Sequence, residues 1–190
     1  MKNIAILASG SGTNAENIAL YFKNHPDIRV SLILANKPDA YVLERAKNLG
    51  IDSVVFTRKD FYECDTVLKV LEKHQVDFVV LAGFLWFVPE NLLKAYPKKI
   101  INIHPALLPR HGGKGMYGDK VHQAVIAEGD RETGITIHFV NDHYDEGEII
   151  FQDSFPVLPD DTAETIAQKV HQLEYQHFPR VIEEVIDGHL

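Results

Sequence analysis

Short apolar runs alternate with longer segments of helical spacing up to about residue 118 of the chain. Apolar runs of this length predict buried strands, and the segments between them predict amphipathic helices. The runs are apolar at nearly every position and helices separate them, so they indicate a parallel sheet covered on both faces. The predicted strands cover residues 3–8, 30–35, 53–56, 76–82 and 99–103.

The predicted helices have boundary residues that are typical of helix ends. We expect the first helix to open at Asn14 and the second to end at Gly50, since asparagine favours the start of a helix and glycine its end. The predicted helices cover residues 14–23, 39–49, 61–74 and 119–128.

The pattern changes after about residue 118, where the helix over 119–128 is followed by two strand-like stretches, 133–140 and 148–155. The segment between them is polar and rich in turn residues, so the two stretches are predicted to form an antiparallel pair added to the sheet. A long helix over 162–187 follows, interrupted or kinked near Pro179. No internal repeat or linker composition is visible. We therefore expect residues 1–190 to form a single Rossmann-like α/β domain.

Composition and charge narrow the classes of partner. Nineteen basic and 27 acidic residues give a net charge of −8, without the basic excess that nucleic-acid binders use against phosphates. The apolar run at the N-terminus is too short for a membrane span and leads into glycines, so it predicts a first strand rather than a signal peptide. Small-molecule partners and a cytoplasmic setting are therefore expected, with no nucleic acid or membrane contact, as a monomer or weak homodimer.

Cys64 is the single cysteine, which excludes an intramolecular disulfide and a multi-cysteine metal site. It falls within the predicted helix over 61–74, where no chemical role is expected for it. We expect no metal ion in the protein.

A glycine-rich turn, residues 9–14, follows the first predicted strand with the sequence Ser-Gly-Ser-Gly-Thr-Asn. Glycines allow the backbone to approach an anion closely, and a helix N-terminus offers free N–H donors. The turn is therefore compatible with a phosphate site, and equally with a tight turn and a helix cap alone.

Two better-known phosphate motifs fit this turn less well. The dinucleotide fingerprint Gly-x-Gly-x-x-Gly is nearly met, with Ala15 at the third position. The acidic residue that usually ends the second strand is missing, since Ala35-Asn36-Lys37 stand there. A Walker A loop is excluded because no Gly-Lys-Ser/Thr follows. A mononucleotide or sugar phosphate is the better prediction.

Polar residues also mark the end of the fifth predicted strand. Strand alternation places Asn102 and His104 on the same side, where an amide and an imidazole can stabilise a developing oxyanion. Asp145 lies in the polar segment between the last two strands, from which we expect it to orient His104 and raise its pKa. No serine or cysteine stands in a nucleophile elbow, so the residues predict direct transfer without a covalent enzyme intermediate.

These motifs together resemble the phosphoribosylglycinamide formyltransferases of purine synthesis, within the formyltransferase-fold family. The resemblance covers essentially the whole chain, through SGSGTN, LAGF, NIHPALLP, HFVNDHYDEG and LEYQHFP. It implies transfer of the formyl group of 10-formyltetrahydrofolate, as co-substrate, to the amine of glycinamide ribonucleotide in de novo synthesis of IMP.

The resemblance also implies roles for individual residues. It makes Asn102, His104 and Asp145 the catalytic set and His138 a supporting residue, although the pattern alone predicts His138 as a strand residue that faces the core. It implies that the phosphate and ribose are bound by Gly12, Thr13, Asn14 and Glu174. It implies that the folate is bound by Leu85, Trp86, Phe87, Val88, Asn102, Asn141 and Asp142.

The chain departs from the family pattern at two places. Cys64 aligns with an arginine that in the family often contacts the folate tail. Either Arg58 or Lys59 takes over this role, or the tail is held differently. Residues 110–118, which include Lys114, form a glycine-rich segment longer than in some members, predicted to be mobile and without an assigned role.

Three rival functions remain. A formyltetrahydrofolate hydrolase uses a similar Asn-His-Asp set but usually carries an N-terminal regulatory domain. A methionyl-tRNA formyltransferase needs a further tRNA-binding domain and a basic surface. A non-catalytic nucleotide-binding module of the same α/β class has no need for Asn102, His104 and Asp145 to converge.

Overall fold

A computed structural model describes all residues, 1–190, as one α/β unit built on a seven-stranded sheet. The strands lie side by side in the order β3-β2-β1-β4-β5-β6-β7. Their bounds are β1 Lys2–Ala8, β2 Ile28–Ala35, β3 Asp52–Val55, β4 Phe78–Leu81, β5 Ile100–His104, β6 Glu132–Phe139 and β7 Ile149–Pro156.

The first five strands are parallel, as the continuous apolar runs predict. β6 pairs antiparallel with β5, and β7 antiparallel with β6, which confirms the predicted C-terminal addition. Each predicted strand is found within two residues of its observed bounds.

Seven helices cover the two faces of the sheet. They are α1 Thr13–Tyr21, α2 Val42–Leu49, α3 Arg58–Tyr62, α4 Thr66–Lys73, α5 Glu90–Ala95, α6 Asp119–Ala127 and α7 Ala163–Ile186. None of them is both long enough and apolar enough to cross a membrane.

Alternating strand residues feed two separate apolar cores. Ile101 and Ile103 of β5 point into the larger core, which α1, α2 and α7 cover. Ile100 points into the smaller core on the opposite face, which α3, α4 and α5 cover. Asn102 and His104 share the face of Ile100, at the end of that core, because strand side chains alternate.

The single helix predicted over 61–74 is wrong, because two helices meet there at a turn. Thr57 caps α3 through a capping box with Asp60, so helix begins earlier than the apolar spacing indicates. α3 ends at Tyr62, and α4 begins only at Thr66. Cys64 therefore lies in the turn between two helices and not within a helix, contrary to the prediction.

Three further helices differ from the prediction. α1 begins at Thr13 with Gly12 as its cap, so Asn14 does not open it. α5, a helix of 6 residues, was not predicted. α7 continues through Pro179, which is buried within it, so the predicted interruption is wrong. Gly50 ends α2 in the left-handed conformation, as predicted.

Candidate active site

A cavity of about 630 Å³ opens along the carboxyl ends of β1, β4 and β5. Its lining includes the glycine-rich turn after β1, the stretch after the neighbouring strand β4, and the end of β5 on the far side of β4. This is where an open α/β sheet binds ligands, because the strand ends and helix N-termini converge there. The residues of the predicted site that line it are Gly12, Thr13, Asn14, Leu85, Trp86, Phe87, Val88, Asn102, His104, His138, Asp145 and Glu174.

Gly12 gives the glycine-rich turn its shape. Its φ of 77° lies in the left-handed region, and a Cβ built there would overlap the side chain of Val42. The turn is tied down on its outer side by Arg45, whose Nε donates to the Ser11 carbonyl at 2.8 Å. The turn is thus held in one conformation at the mouth of the cavity, with the start of α1 behind it.

Asn14 and Glu174 meet behind this turn. Asn14 Nδ2 donates to Glu174 Oε2 at 3.0 Å, whereas the buried Asn14 Oδ1 has no hydrogen-bond partner. Burial raises the pKa of Glu174 from 4.5 to about 7, and the Asn14 hydrogen bond offsets part of that rise. An unpaired acceptor beside a half-protonated carboxyl is suited to hydroxyl groups of a ligand, which both donate and accept.

Ser9 connects the glycine-rich turn to the opposite wall. The Leu85 N–H donates to Ser9 Oγ at 3.0 Å, and the Ser9 N–H donates to the Gly83 carbonyl at 3.1 Å. Sequence reasoning missed this role of Ser9, because a serine in a glycine-rich turn carries no distinguishing signal. Farther along this wall, the Phe87 ring packs on Tyr144 at 4.8 Å between centroids.

Asn102 is oriented by His138 from the neighbouring strand, where the two residues are register partners. His138 Nδ1 lies 2.9 Å from the Phe139 carbonyl, so Nδ1 carries the proton and Nε2 is an acceptor. Asn102 Nδ2 lies 3.1 Å from this Nε2 and donates to it. One amide hydrogen of Asn102 is thereby fixed, and its second is left for a ligand in the cavity.

His104 is buried at the last position of β5. Its Nε2 donates to the His111 carbonyl at 2.8 Å, and its Nδ1 lies 3.5 Å from Asp145 Oδ2. At that second distance the two groups interact electrostatically but do not form a hydrogen bond. Asp145 also accepts from the Gly113 N–H at 3.0 Å.

Asp145 reaches the site by a route that the sequence did not reveal. The segment after β6 does not begin at the carboxyl ends of the parallel strands, because β6 is antiparallel and ends beside Ile101. The Val140 N–H accordingly bonds to the Ile100 carbonyl, at the amino end of β5. The loop then turns back across the face of the sheet and brings Asp145 to His104 and His138.

The prediction that Asp145 gives His104 a raised pKa is wrong for the net effect. Burial is the largest influence and lowers the pKa of His104 below its ordinary 6.5, although Asp145 and the His111 carbonyl act in the opposite direction. Burial alone would raise the pKa of Asp145, but the neighbouring imidazoles of His138 and His104 and the Gly113 N–H bring it below 3.8. The pair is therefore a neutral imidazole beside a carboxylate at neutral pH.

Two predicted folate contacts do not line the cavity. Asn141 and Asp142 turn to His143, whose N–H and Nδ1 lie within 2.9 Å of their side-chain oxygens. His143, Tyr144 and Val140 line the cavity in their place.

Arg58, one of the two proposed substitutes for the family arginine, lies outside the lining and stacks over the rings of Tyr62 and Trp86, at 5.0 and 5.2 Å. Its part in binding the folate tail, and that of Lys59, stays a prediction.

The cavity has further polar lining that the sequence reasoning did not assign. Two of these residues, His122 and His171, lie on helices, and the buried Nδ1 of His122 has no hydrogen-bond partner. Helical spacing marks these two positions only as part of an amphipathic pattern, so no signal in the sequence separates them from ordinary helix residues. The unassigned polar lining residues are Ser11, Lys114, Tyr117, His122, His143, Tyr144 and His171.

One cluster outside the cavity has the composition of a metal site. Ligand atoms of His111, Glu128 and Asp130 lie within 4.8 Å of one another. The Arg110 guanidinium binds the Asp130 carboxylate. A cation that already neutralises the carboxylate makes this cluster an ion-pair network.

The comparisons with known proteins agree with this geometry. The formyl transferase family model matches residues 2–182. The phosphoribosylglycinamide formyltransferase of Haemophilus influenzae is 38% identical, over 100% of this chain and 90% of its own length. A glycinamide ribonucleotide transformylase from Symbiobacterium toebii superposes with a TM-score of 0.89 at 34% identity, covering 99% of this chain and 89% of its own.

Plant relatives are longer. The chloroplastic phosphoribosylglycinamide formyltransferase of Vigna unguiculata is 44% identical over 96% of this chain, which spans 60% of that relative's length. The match nevertheless extends over nearly the whole of this chain. The chain therefore belongs to the formyl transferase family and, within it, to the phosphoribosylglycinamide formyltransferases.

Proposed function

We propose that the chain transfers the formyl group of 10-formyltetrahydrofolate to the amine of glycinamide ribonucleotide. The observation that carries the proposal is the convergence of Asn102, His104 and Asp145 on one cavity that also has a glycine-rich turn. Its relatives are named for this transfer. The non-catalytic rival, a nucleotide-binding module, gives no reason for an amide, an imidazole and a carboxylate to meet there.

The ribonucleotide binds at the glycine-rich turn in this proposal. Gly12 and Thr13 bring backbone N–H groups at the start of α1 to the phosphate, where the helix dipole favours negative charge. The ribose hydroxyls take the unpaired Asn14 Oδ1 and the Glu174 carboxyl as partners. The buried orphan acceptor at Asn14 is what fits a ligand hydroxyl there.

The folate binds at the opposite wall, from Leu85 to Val88. This wall is mainly apolar and aromatic, and the exposed side of Leu85 suits a flat heterocycle. Trp86 packs into the ring cluster of Phe56 and Phe61, which fixes the wall's position. The two reactants then meet above Asn102, and holding them in contact supplies much of the rate.

The chemistry starts with the amine attacking the formyl carbon, which turns the carbonyl into an oxyanion. The free amide hydrogen of Asn102 binds that oxyanion. His104 is neutral and takes the proton from the attacking amine at Nδ1, where the Asp145 carboxylate stabilises the resulting imidazolium. The same proton passes to the folate nitrogen as its bond to the carbon breaks, which leaves a formylated amine and tetrahydrofolate.

A spectrophotometric assay of 10-formyl folate, with and without glycinamide ribonucleotide, tests the proposal. We expect deformylation of the folate that depends on the ribonucleotide and yields one formylated product per folate consumed. Deformylation without the ribonucleotide would identify a hydrolase instead. Binding of both ligands by the folded protein without turnover would identify a binding module.

Three aspects of the setting remain part of the proposal. Residues 1–190 act together as one formyltransferase domain, since residues from Gly12 to Glu174 line the same cavity. The enzyme works in the cytoplasm without a metal ion or a nucleic-acid partner, as the single cysteine and the net charge of −8 favour. It is a monomer or a weak homodimer, which sedimentation at micromolar concentration would distinguish from a stable oligomer.

A further inference from the structure

The backbone of His111 contacts the imidazole of the site directly. His104 Nε2 lies 2.8 Å from the His111 carbonyl oxygen, and a carbonyl only accepts hydrogen bonds. The neutral His104 ring therefore carries its proton on Nε2 and leaves Nδ1 bare toward Asp145, 3.5 Å away. The position of this one carbonyl decides which nitrogen of His104 can take a proton.

The His111 backbone does not occupy a relaxed conformation. Its φ of 54° lies in the left-handed region, which is uncommon for residues other than glycine. Gly112 and Gly113 follow at once, so the segment has little local preference that would hold the carbonyl in place. Something outside the segment has to fix it.

The His111 side chain supplies that anchor. Its Nε2 lies 2.6 Å from Asp130 Oδ2, and both side chains are almost fully buried, 4% and 3% exposed. Asp130 is itself fixed just after α6, since its N–H bonds to the Val125 carbonyl at 3.1 Å and its carboxylate binds Arg110. A buried hydrogen bond to a charged group is among the stronger single interactions in a protein.

The same anchor controls the Asp145 side of the site. The Gly113 N–H, two residues beyond His111, donates to Asp145 Oδ2 at 3.0 Å. The segment from His111 to Gly113 thus contacts both members of the His104–Asp145 pair. A shift of this segment would break two hydrogen bonds at once, the one from His104 Nε2 and the one to Asp145 Oδ2.

We propose that His111 and Asp130 form a positioning pair, which holds the His111 carbonyl against His104 Nε2 and so keeps Nδ1 free to receive the proton of the reaction. The rate consequence of this pair rests on the proposed function, whereas its effect on the His104 ring does not. Neither His111 nor Asp130 lines the cavity, so the pair acts through His104 and Asp145.

Long-range ¹H–¹⁵N NMR of the imidazoles at pH 8 tests the effect on the ring. The His104 signals are assigned by their loss in His104→Gln. We expect the wild type to show the Nε2–H form of His104 and His111→Ala to show a mixture of both neutral forms. His111→Gln, whose amide reaches the position of Nε2, should restore the wild-type spectrum in large part. Glu128→Gln is the matched control, since it removes an exposed carboxylate 3.8 Å from the same imidazole.

Kinetics with both substrates test the consequence for the reaction. We expect His111→Ala to lower kcat about tenfold to hundredfold, the loss typical of a catalytic group that is slightly misplaced, with both KM values within about twofold. Asp130→Asn keeps the size of the side chain and should show the same loss in milder form. A spectrum and a kcat like the wild type's in folded His111→Ala would overturn the proposal.

The two readouts separate this proposal from the proposed function. A changed His104 spectrum in a protein that transfers no formyl group would uphold the positioning pair and reject the reaction. An unchanged spectrum with a lowered kcat would show that the pair acts by some route other than His104, and would also overturn the proposal.

Discussion

Asn14 Nδ2 donates a hydrogen bond of 3.0 Å to Glu174 Oε2, and so joins the first helix to the last across most of the chain. The bond leaves Asn14 Oδ1 buried and without a partner. A native protein tolerates such an orphan where a ligand completes the site. The same contact places a carboxyl of raised pKa in the cavity, which makes both stability and ligand binding depend on pH.

Replacing Glu174 by Gln should make the protein more stable at pH 8. Burial raises the pKa of Glu174 from 4.5 to about 7, so the folded state holds a proton between these values that the unfolded state has lost. The wild type therefore loses stability as pH rises from 4.5 through 7, by about 3 kcal/mol at most. Urea unfolding should show Glu174→Gln more stable than the wild type at pH 8 and close to it at pH 5. A constant difference across that range would contradict the assignment.

The rate should fall on the acid side as His104 gains a proton. Its pKa is lowered from 6.5 by burial, so the neutral form that accepts the amine proton persists below pH 6.5. We expect kcat with both substrates saturating, which removes the effect of Glu174 on binding, to be level near pH 7 and to decline only at pH values below 6.5. A kcat that rises as the pH falls would mean that His104 works in its protonated form.

Asp145→Asn should nearly abolish turnover while leaving the fold intact. The change removes the charge that stabilises the His104 imidazolium but keeps a side-chain oxygen for the Gly113 N–H. A loss of about 10²- to 10⁴-fold in kcat is expected for a group of this kind. Steady-state kinetics beside a circular dichroism melt would measure it, and near-normal turnover would remove Asp145 from the mechanism.

Asn102→Ala should lower kcat without a matching rise in KM. Its second amide hydrogen is the donor left for the oxyanion, and losing one such donor costs about 10²- to 10³-fold in kcat. Asn91→Ala offers a matched control, since the half-buried side chain of Asn91 lies outside the cavity lining and forms hydrogen bonds only with Asp65 and the Leu92 N–H. Equal losses in the two variants would show that the Asn102 effect is not specific to the site.

Gly12→Ala should destabilise the fold where Gly10→Ala does not. At Gly12 the new methyl group would overlap Val42 at a φ of 77°, whereas a Cβ at Gly10 meets nothing within 4 Å. Left-handed strain and overpacking together predict a loss of about 2–5 kcal/mol for Gly12→Ala. Gly10→Ala should stay within about 0.5 kcal/mol. Urea unfolding of both variants measures the difference, and similar values would argue against a conformational role for Gly12.

The strands and their parallel arrangement were predictable because strands buried on both faces of a sheet are apolar at nearly every position. Helix starts were less predictable, since the capping box of Thr57 and Asp60 begins α3 earlier than the apolar spacing indicates. A capping box involves only four residues, whereas apolar periodicity becomes recognisable only over about three helical turns. Pro179 likewise stays within α7, where the packing of its face outweighs the lost hydrogen bond.

The site was predictable at strand ends and not within loops. Asn102 and His104 follow from strand alternation, and both line the cavity. The position of Asp145 depends on the course of a polar loop that turns back over the sheet, and sequence spacing does not determine that course. The sequence predicts a raised pKa for His104 from its partner Asp145, but it does not show how deeply His104 is buried, and burial lowers that pKa.

The backward turn of the β6–β7 loop has a consequence for how the catalytic apparatus is assembled during folding. Gly147 closes that loop with its α-carbon against the Phe139 carbonyl, too near for any side chain. The lining residues from Gly10 to His122 precede β6 in the chain, whereas Asp145 follows β6. A nascent chain that stops short of this hairpin would thus lack the carboxylate, the His138 imidazole that orients Asn102 and the Glu174 side of the ribose site.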